Sequence, residues 1–130
     1  MEIRDYQERL TAFDRARGWD RVLASQTMVH LVEEVGEVAR VVLELEGYRE
    51  ADDTEALRTR LREELADAAN FLFKLASHYG VEMEQGLLDN LQQIERRFPL
   101  EASQTDMARY IEGQRANLRR LEGLGGSRHG

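Results

Sequence analysis

The 130 residues predict an all-α fold, an antiparallel bundle of four to five helices that completes its core by homo-oligomerisation. Three observations predict it. Apolar residues recur with the helical period throughout, and nowhere with the alternation of a strand. Proline occurs once, at Pro99, so long stretches are free of helix breakers. Charged residues make up 33% of the chain and hydrophobic ones 42%, a balance suited to amphipathic helices with wet outer faces. A single domain of this length buries only roughly two-thirds of its unfolded surface. That gives one modest core, which a second copy would extend.

The elements follow in order. A first helix spans Glu2 to Arg17, with Ile3, Tyr6, Leu10 and Phe13 on one stripe and Gly18 as its stop. A second runs from Gln26 to Glu46, with Ser25 as N-cap and Gly47 past its end. After a polar loop, Asp52 with Glu55 resembles a capping box for a third helix ending at Gly80. A fourth extends from Glu82 to Phe98, where Pro99 interrupts it. Ser103 with Asp106 would cap a fifth helix carrying Met107, Tyr110, Ile111, Leu118 and Leu121. Residues 1–99 thus form a helical core, 100–122 a C-terminal helical extension and 123–130 a disordered tail.

Composition excludes several classes of function. The net charge of −7 repels nucleic-acid backbones and anionic membranes, so no polynucleotide or membrane partner is expected. With no cysteine, disulfides and thiolate metal sites are out of reach. No run approaches the 18 or so apolar residues of a membrane span. The opening Met-Glu-Ile-Arg-Asp lacks the basic start and apolar stretch of a signal peptide, so a soluble cytoplasmic protein is expected.

The chemistry concentrates in two acidic pairs. The apolar arc of helix two is defined by Met28, Leu31, Val32, Val35, Val38, Ala39 and Val42. Glu34 sits at its edge and Glu37 about 60° further out, while Glu33 falls toward the wet side. On helix three, Glu64 lies inside the arc of Leu57, Leu61, Leu65, Ala68, Phe71, Leu72 and Leu75, with Asp67 near its edge and Glu63 pointing away. A carboxylate on a buried face costs several kcal/mol unless it is neutralised. Arg60 and Lys74, the chain's only lysine, lie at or beyond the arc's edge. If helices two and three pack antiparallel, Glu34, Glu37, Glu64 and Asp67 project into one space, where Mg²⁺ would resolve their repulsion. Acidic residues at i and i+3 also commonly mark a solvated face, and that alternative stays open.

The stretches His30 to Ala39 (His-Leu-Val-Glu-Glu-Val-Gly-Glu-Val-Ala) and Leu61 to Ala68 (Leu-Arg-Glu-Glu-Leu-Ala-Asp-Ala) carry a family resemblance. They look like the signature of MazG-like nucleotide pyrophosphohydrolases, in the all-α NTP pyrophosphatase group: Glu-Glu-x-x-Glu, a spacer, then Glu-x-x-Asp. The resemblance spans roughly residues 5 to 99. It implies that Glu34, Glu37, Glu64 and Asp67 hold Mg²⁺, with Mn²⁺ as a substitute. It also implies catalytic roles for Glu33, Glu34 and Glu37, among them activation of water. The implied reaction splits a nucleoside triphosphate into monophosphate and pyrophosphate, in nucleotide-pool house-cleaning by a homodimer or homotetramer. Such proteins usually carry a Lys, an Asn and an Arg for phosphate after the second motif. Here that segment offers Asn90, Arg96 and Arg97 and no Lys.

Trp19 and Asn70 complete the candidate substrate-binding set, Trp19 by stacking on a base and Asn70 by bonding to sugar or phosphate. Packing at an interface and surface placement are their respective alternatives. A phosphoribosyl-ATP pyrophosphatase and a catalytically weak nucleotide- or protein-binding module are the competing functions.

Overall fold

The computed structural model describes residues 1–48 and 53–126, and among them every regular element is helical. The order is α1 (Ile3–Arg17), a 3-10 turn (Trp19–Arg21), α2 (Ala24–Leu45), α3 (Thr54–His78), α4 (Met83–Arg97) and α5 (Leu100–Gly126). Two compact units are present, residues 1–87 and 88–130, dividing inside α4 rather than at Pro99.

In the first unit α2 and α3 form a long antiparallel hairpin. Thr27 meets His78, His30 meets Phe71, and Glu44 meets Arg60, so partners run in opposite directions. Gly47 and Gly80 end the two helices with φ of 82° and 64°. In each case the following residue reaches back to close the last turn, Tyr48 N–H to the Leu43 carbonyl and Val81 N–H to that of Ala76, both at 2.9 Å. The start of α2 departs from expectation. Its N-cap is Leu23, whose carbonyl accepts from Gln26 and Thr27 while Gln26 Oε1 accepts from the Leu23 N–H; Ser25 is already inside the helix. Asp53 caps α3 by accepting from the Glu55 N–H, and the expected Asp52 lies outside the described residues.

The core sits in the α2–α3 seam, where Leu31, Val41 and Leu57 are buried. Packing of α1 corrects the expected stripe. Ile3, Tyr6 and Phe13 are exposed, whereas Gln7 and Asp14 are buried. The polar line Gln7, Thr11, Asp14 lies about 90° around the helix from the apolar one, and it is this line that faces α3. Gln7 holds α1 in place, donating to Ser77 Oγ and the Val81 carbonyl and accepting from the Met83 N–H.

In the second unit, α5 starts at Leu100 with the Pro99 carbonyl accepting from Ser103 N–H, so Ser103 is not the cap. The helix continues to Gly126, through residues expected to be disordered, and 127–130 lie outside the described residues. Apolar side chains on α5, Met107, Tyr110, Leu118 and Leu121 among them, are exposed.

Candidate metal centre

The hairpin brings three of the four candidate ligands together. One carboxylate oxygen from each of Glu34, Glu64 and Asp67 lies within 4.8 Å of the others. Glu34 and Glu64 are half-buried in the seam and Asp67 is exposed at its rim. Glu37 is exposed and stays outside this trio, although its charge still bears on Glu34. Glu33 turns outward as the helical geometry requires, with its Oε2 3.2 Å from His30 Nδ1. Glu63 is exposed as well.

Burial of Glu34 and the like charges of Asp67 and Glu64 raise its pKa above the ordinary carboxylate value. A hydrogen bond with Glu64 and the charge of Glu37 push it the same way. The two basic residues flanking the arc of α3 are engaged elsewhere: Arg60 pairs with Glu44 at 3.0 Å and Lys74 with Asp14 at 3.2 Å. Three hard oxygens at this spacing fit a divalent cation. An octahedron with bonds of about 2.1 Å places its ligand atoms roughly 3 to 4 Å apart. They would leave about three positions for water or phosphate oxygens.

The remaining candidates are placed as follows. Trp19 is 53% exposed and meets the Phe13 ring edge-on at 5.8 Å between centroids. Asn70 is occupied: its Oδ1 accepts from the Tyr6 hydroxyl, which fastens α1 to α3. Asn90, Arg96 and Arg97 belong to the second unit and are exposed on α4. There Arg96 Nε donates to the Gln92 carbonyl and the Arg97 guanidinium sits 5.3 Å from the Phe98 ring.

Comparison with known proteins finds a relative in Bacillus subtilis (strain 168), described as uncharacterized protein YvdC. It is 30% identical over 103 residues, covering 75% of this chain and 97% of YvdC. The chain belongs to the YvdC family. No family model matches it. YvdC carries no stated activity, so the chemistry of this YvdC-family site rests on its donors and their geometry.

Beside the carboxylates lies a polar group in which the sequence did not single out Thr27, His78 or Asp14. His30 stacks on Phe71, with centroids 5.5 Å apart and planes at 23°, and beyond them Thr27, His78, Asp14 and Lys74 line a cavity. The available signal was the spacing of Gln7, Thr11 and Asp14, which share one face of α1. Period alone does not tell a buried polar line from a wet one.

Proposed function

We propose that the chain is a Mg²⁺-dependent nucleoside triphosphate pyrophosphohydrolase that converts (d)NTP to (d)NMP and pyrophosphate and serves nucleotide-pool house-cleaning. The observation that carries this reading is the convergence of Glu34, Glu64 and Asp67, with no basic residue paired to them among the described residues. The resemblance of their two motifs to MazG-like enzymes supplies the reaction.

In this reading Glu34, Glu64 and Asp67 hold the cation from both sides of the hairpin seam. Bound there, the cation would neutralise triphosphate charge and lower the pKa of an attacking water. Glu37 lies beside the trio without belonging to it, which suits a group that completes the ligand set or takes the proton from water. Glu33, held against His30, is suited to orienting that water. Trp19 is the base-stacking candidate, and Asn90, Arg96 and Arg97 of the second unit are phosphate-binding candidates on the family resemblance alone. A homo-oligomer suits the exposed apolar face of α2, where Met28, Val29, Val32 and Val35 are each 45–60% open.

The test is pyrophosphate release from a panel of NTPs and dNTPs with and without Mg²⁺. We expect monophosphate and pyrophosphate in equal amounts, only with metal, and a loss of roughly 100-fold or more in Glu34→Gln and Asp67→Asn. Turnover that survives both substitutions would overturn the site. Mg²⁺ binding without turnover on any triphosphate would instead make the chain a binding module.

A further inference from the structure

A cavity of about 430 Å³ lies between α1, the 3-10 turn and the facing ends of α2 and α3, within the size range of small-molecule sites. Its wall combines the rings of Trp19 and Phe71 with two polar pairs. One is Thr27 Oγ1 with His78 Nε2 at 2.8 Å, the other Lys74 Nζ with Asp14 Oδ1 at 3.2 Å. The Asp14 side chain is nine-tenths buried, and its Oδ1 meets the Lys74 ammonium and no other partner among the described residues. A buried carboxylate with one ion-pair partner keeps lone pairs that a ligand bringing a donor can use. Lys74 is the adjacent cation, and it also lies 5.6 Å and 5.2 Å from the rings of Trp19 and Phe71.

The carboxylate trio does not line this cavity but lies further along the same hairpin. His30 stands four residues before Glu34, and Phe71 four residues after Asp67, one turn or about 6 Å in each case. Both line the cavity. A nucleotide with its phosphates at the trio therefore has an aromatic, concave space one turn away for its base.

We infer that Asp14 and Lys74 read the edge of that base and select one carrying an exocyclic amino group beside a ring acceptor, as in cytosine. This rests on the proposed nucleotide substrate. The carboxylate accepts from the amino group while the ammonium donates to the neighbouring ring nitrogen. Uracil presents a carbonyl oxygen and an N–H in those two places, so each would meet a group of its own kind. A site built for one hydrogen-bonding edge rejects the reversed edge strongly.

Trp19 is the chain's only tryptophan and lines the cavity, so its fluorescence reports occupancy without metal or turnover. Deoxycytidine and deoxyuridine, free of phosphate and titrated in EDTA, differ only at the edge in question. The expected result is a saturating Trp19 response with deoxycytidine at a concentration at least about tenfold lower than with deoxyuridine. Asp14→Asn, which can donate as well as accept, should erase that preference, and Lys74→Met, at a less buried position, should reduce it. Glu34→Gln should leave it intact. Circular dichroism checks that each variant keeps its helices. Equal responses, a preference for deoxyuridine, or a preference surviving in folded Asp14→Asn would overturn the inference. Nucleoside selectivity without pyrophosphate release would refute the proposed reaction and leave the cavity reading standing. Pyrophosphate release without any Trp19 response would do the reverse.

Discussion

Thr27 Oγ1 stands 2.8 Å from His78 Nε2, joining the first turn of α2 to the last residue of α3. Thr27 is 3% exposed, so water cannot readily replace the bond. Thr27→Val keeps the shape and removes the hydroxyl, leaving the imidazole nitrogen without its partner. We expect a loss of about 1–3 kcal/mol in unfolding free energy, with Thr27→Ser retaining most of it. Denaturant titration of both variants decides the point. A Thr27→Val protein as stable as the parent would show that the bond contributes nothing net.

Glu34 makes stability depend on pH and on metal in opposite directions. Its pKa in the folded chain is raised above the ordinary 4.5 by burial and by Asp67 and Glu64. Between those two values the native state binds more protons than the unfolded chain, so stability falls as pH rises. The contribution is fully present below the ordinary value and lost as pH climbs through the raised one. In EDTA, Glu34→Gln should therefore gain on the parent as pH is taken from 4 to 7, read as the difference in Tm. Millimolar Mg²⁺ should raise Tm of the parent at pH 7 and leave Glu34→Gln nearly unmoved. A Tm difference independent of pH would mean the like charges are screened from one another.

The buried seam of α2 is turned about 80° from the centre of its apolar arc, by helical geometry. Thr27, Leu31 and Val41 are buried, while Met28, Val32 and Val35 remain 45%, 60% and 53% exposed. If a second copy covers that face, Val32→Asp should place a charge inside the interface and shift the protein to monomer in sedimentation velocity. Helix content should be retained, because Val32 is exposed within one chain. An unchanged sedimentation coefficient with an oligomeric parent would move the interface elsewhere.

Helical class and most helix ends were legible because the signals are local. Gly18, Gly47 and Gly80 adopt the left-handed conformation that the stop positions require. The start of α2 was not, because Gln26 reaches back to the Leu23 N–H and no side-chain cap is needed there. The outward turn of Glu33 followed from 100° per residue, whereas Glu34, expected at the edge of the apolar arc, lies in the seam because the seam is turned away from that arc. The separation of Glu37 from the trio did not, since it depends on which side of α2 meets α3. Gln7 and Asp14 were missed for a related reason: a polar line is buried only if a partner helix supplies matching groups, and those lie some 60 to 76 residues away in sequence.

Gln7 offers the sharpest test of that polar contact. It is 7% exposed, and its side chain makes three hydrogen bonds: to Ser77 Oγ at 3.1 Å, to the Val81 carbonyl at 2.8 Å and from the Met83 N–H at 2.9 Å. The last two satisfy backbone groups in the turn between α3 and α4. Gln7→Leu fills similar space but leaves both backbone groups without this partner, at an expected cost of about 2–4 kcal/mol. Because Tyr6 and Asp14 on the same helix contact Asn70 and Lys74, loosening α1 should also blunt any nucleoside response of Trp19. Mg²⁺ binding by the trio on α2 and α3 should persist. Hydrogen exchange resolves the two effects: faster exchange at α1 and at Met83, with protection in the middle of the α2–α3 hairpin retained, is the expected pattern. Uniform loss of protection would instead make α1 part of the same cooperative unit as the metal centre.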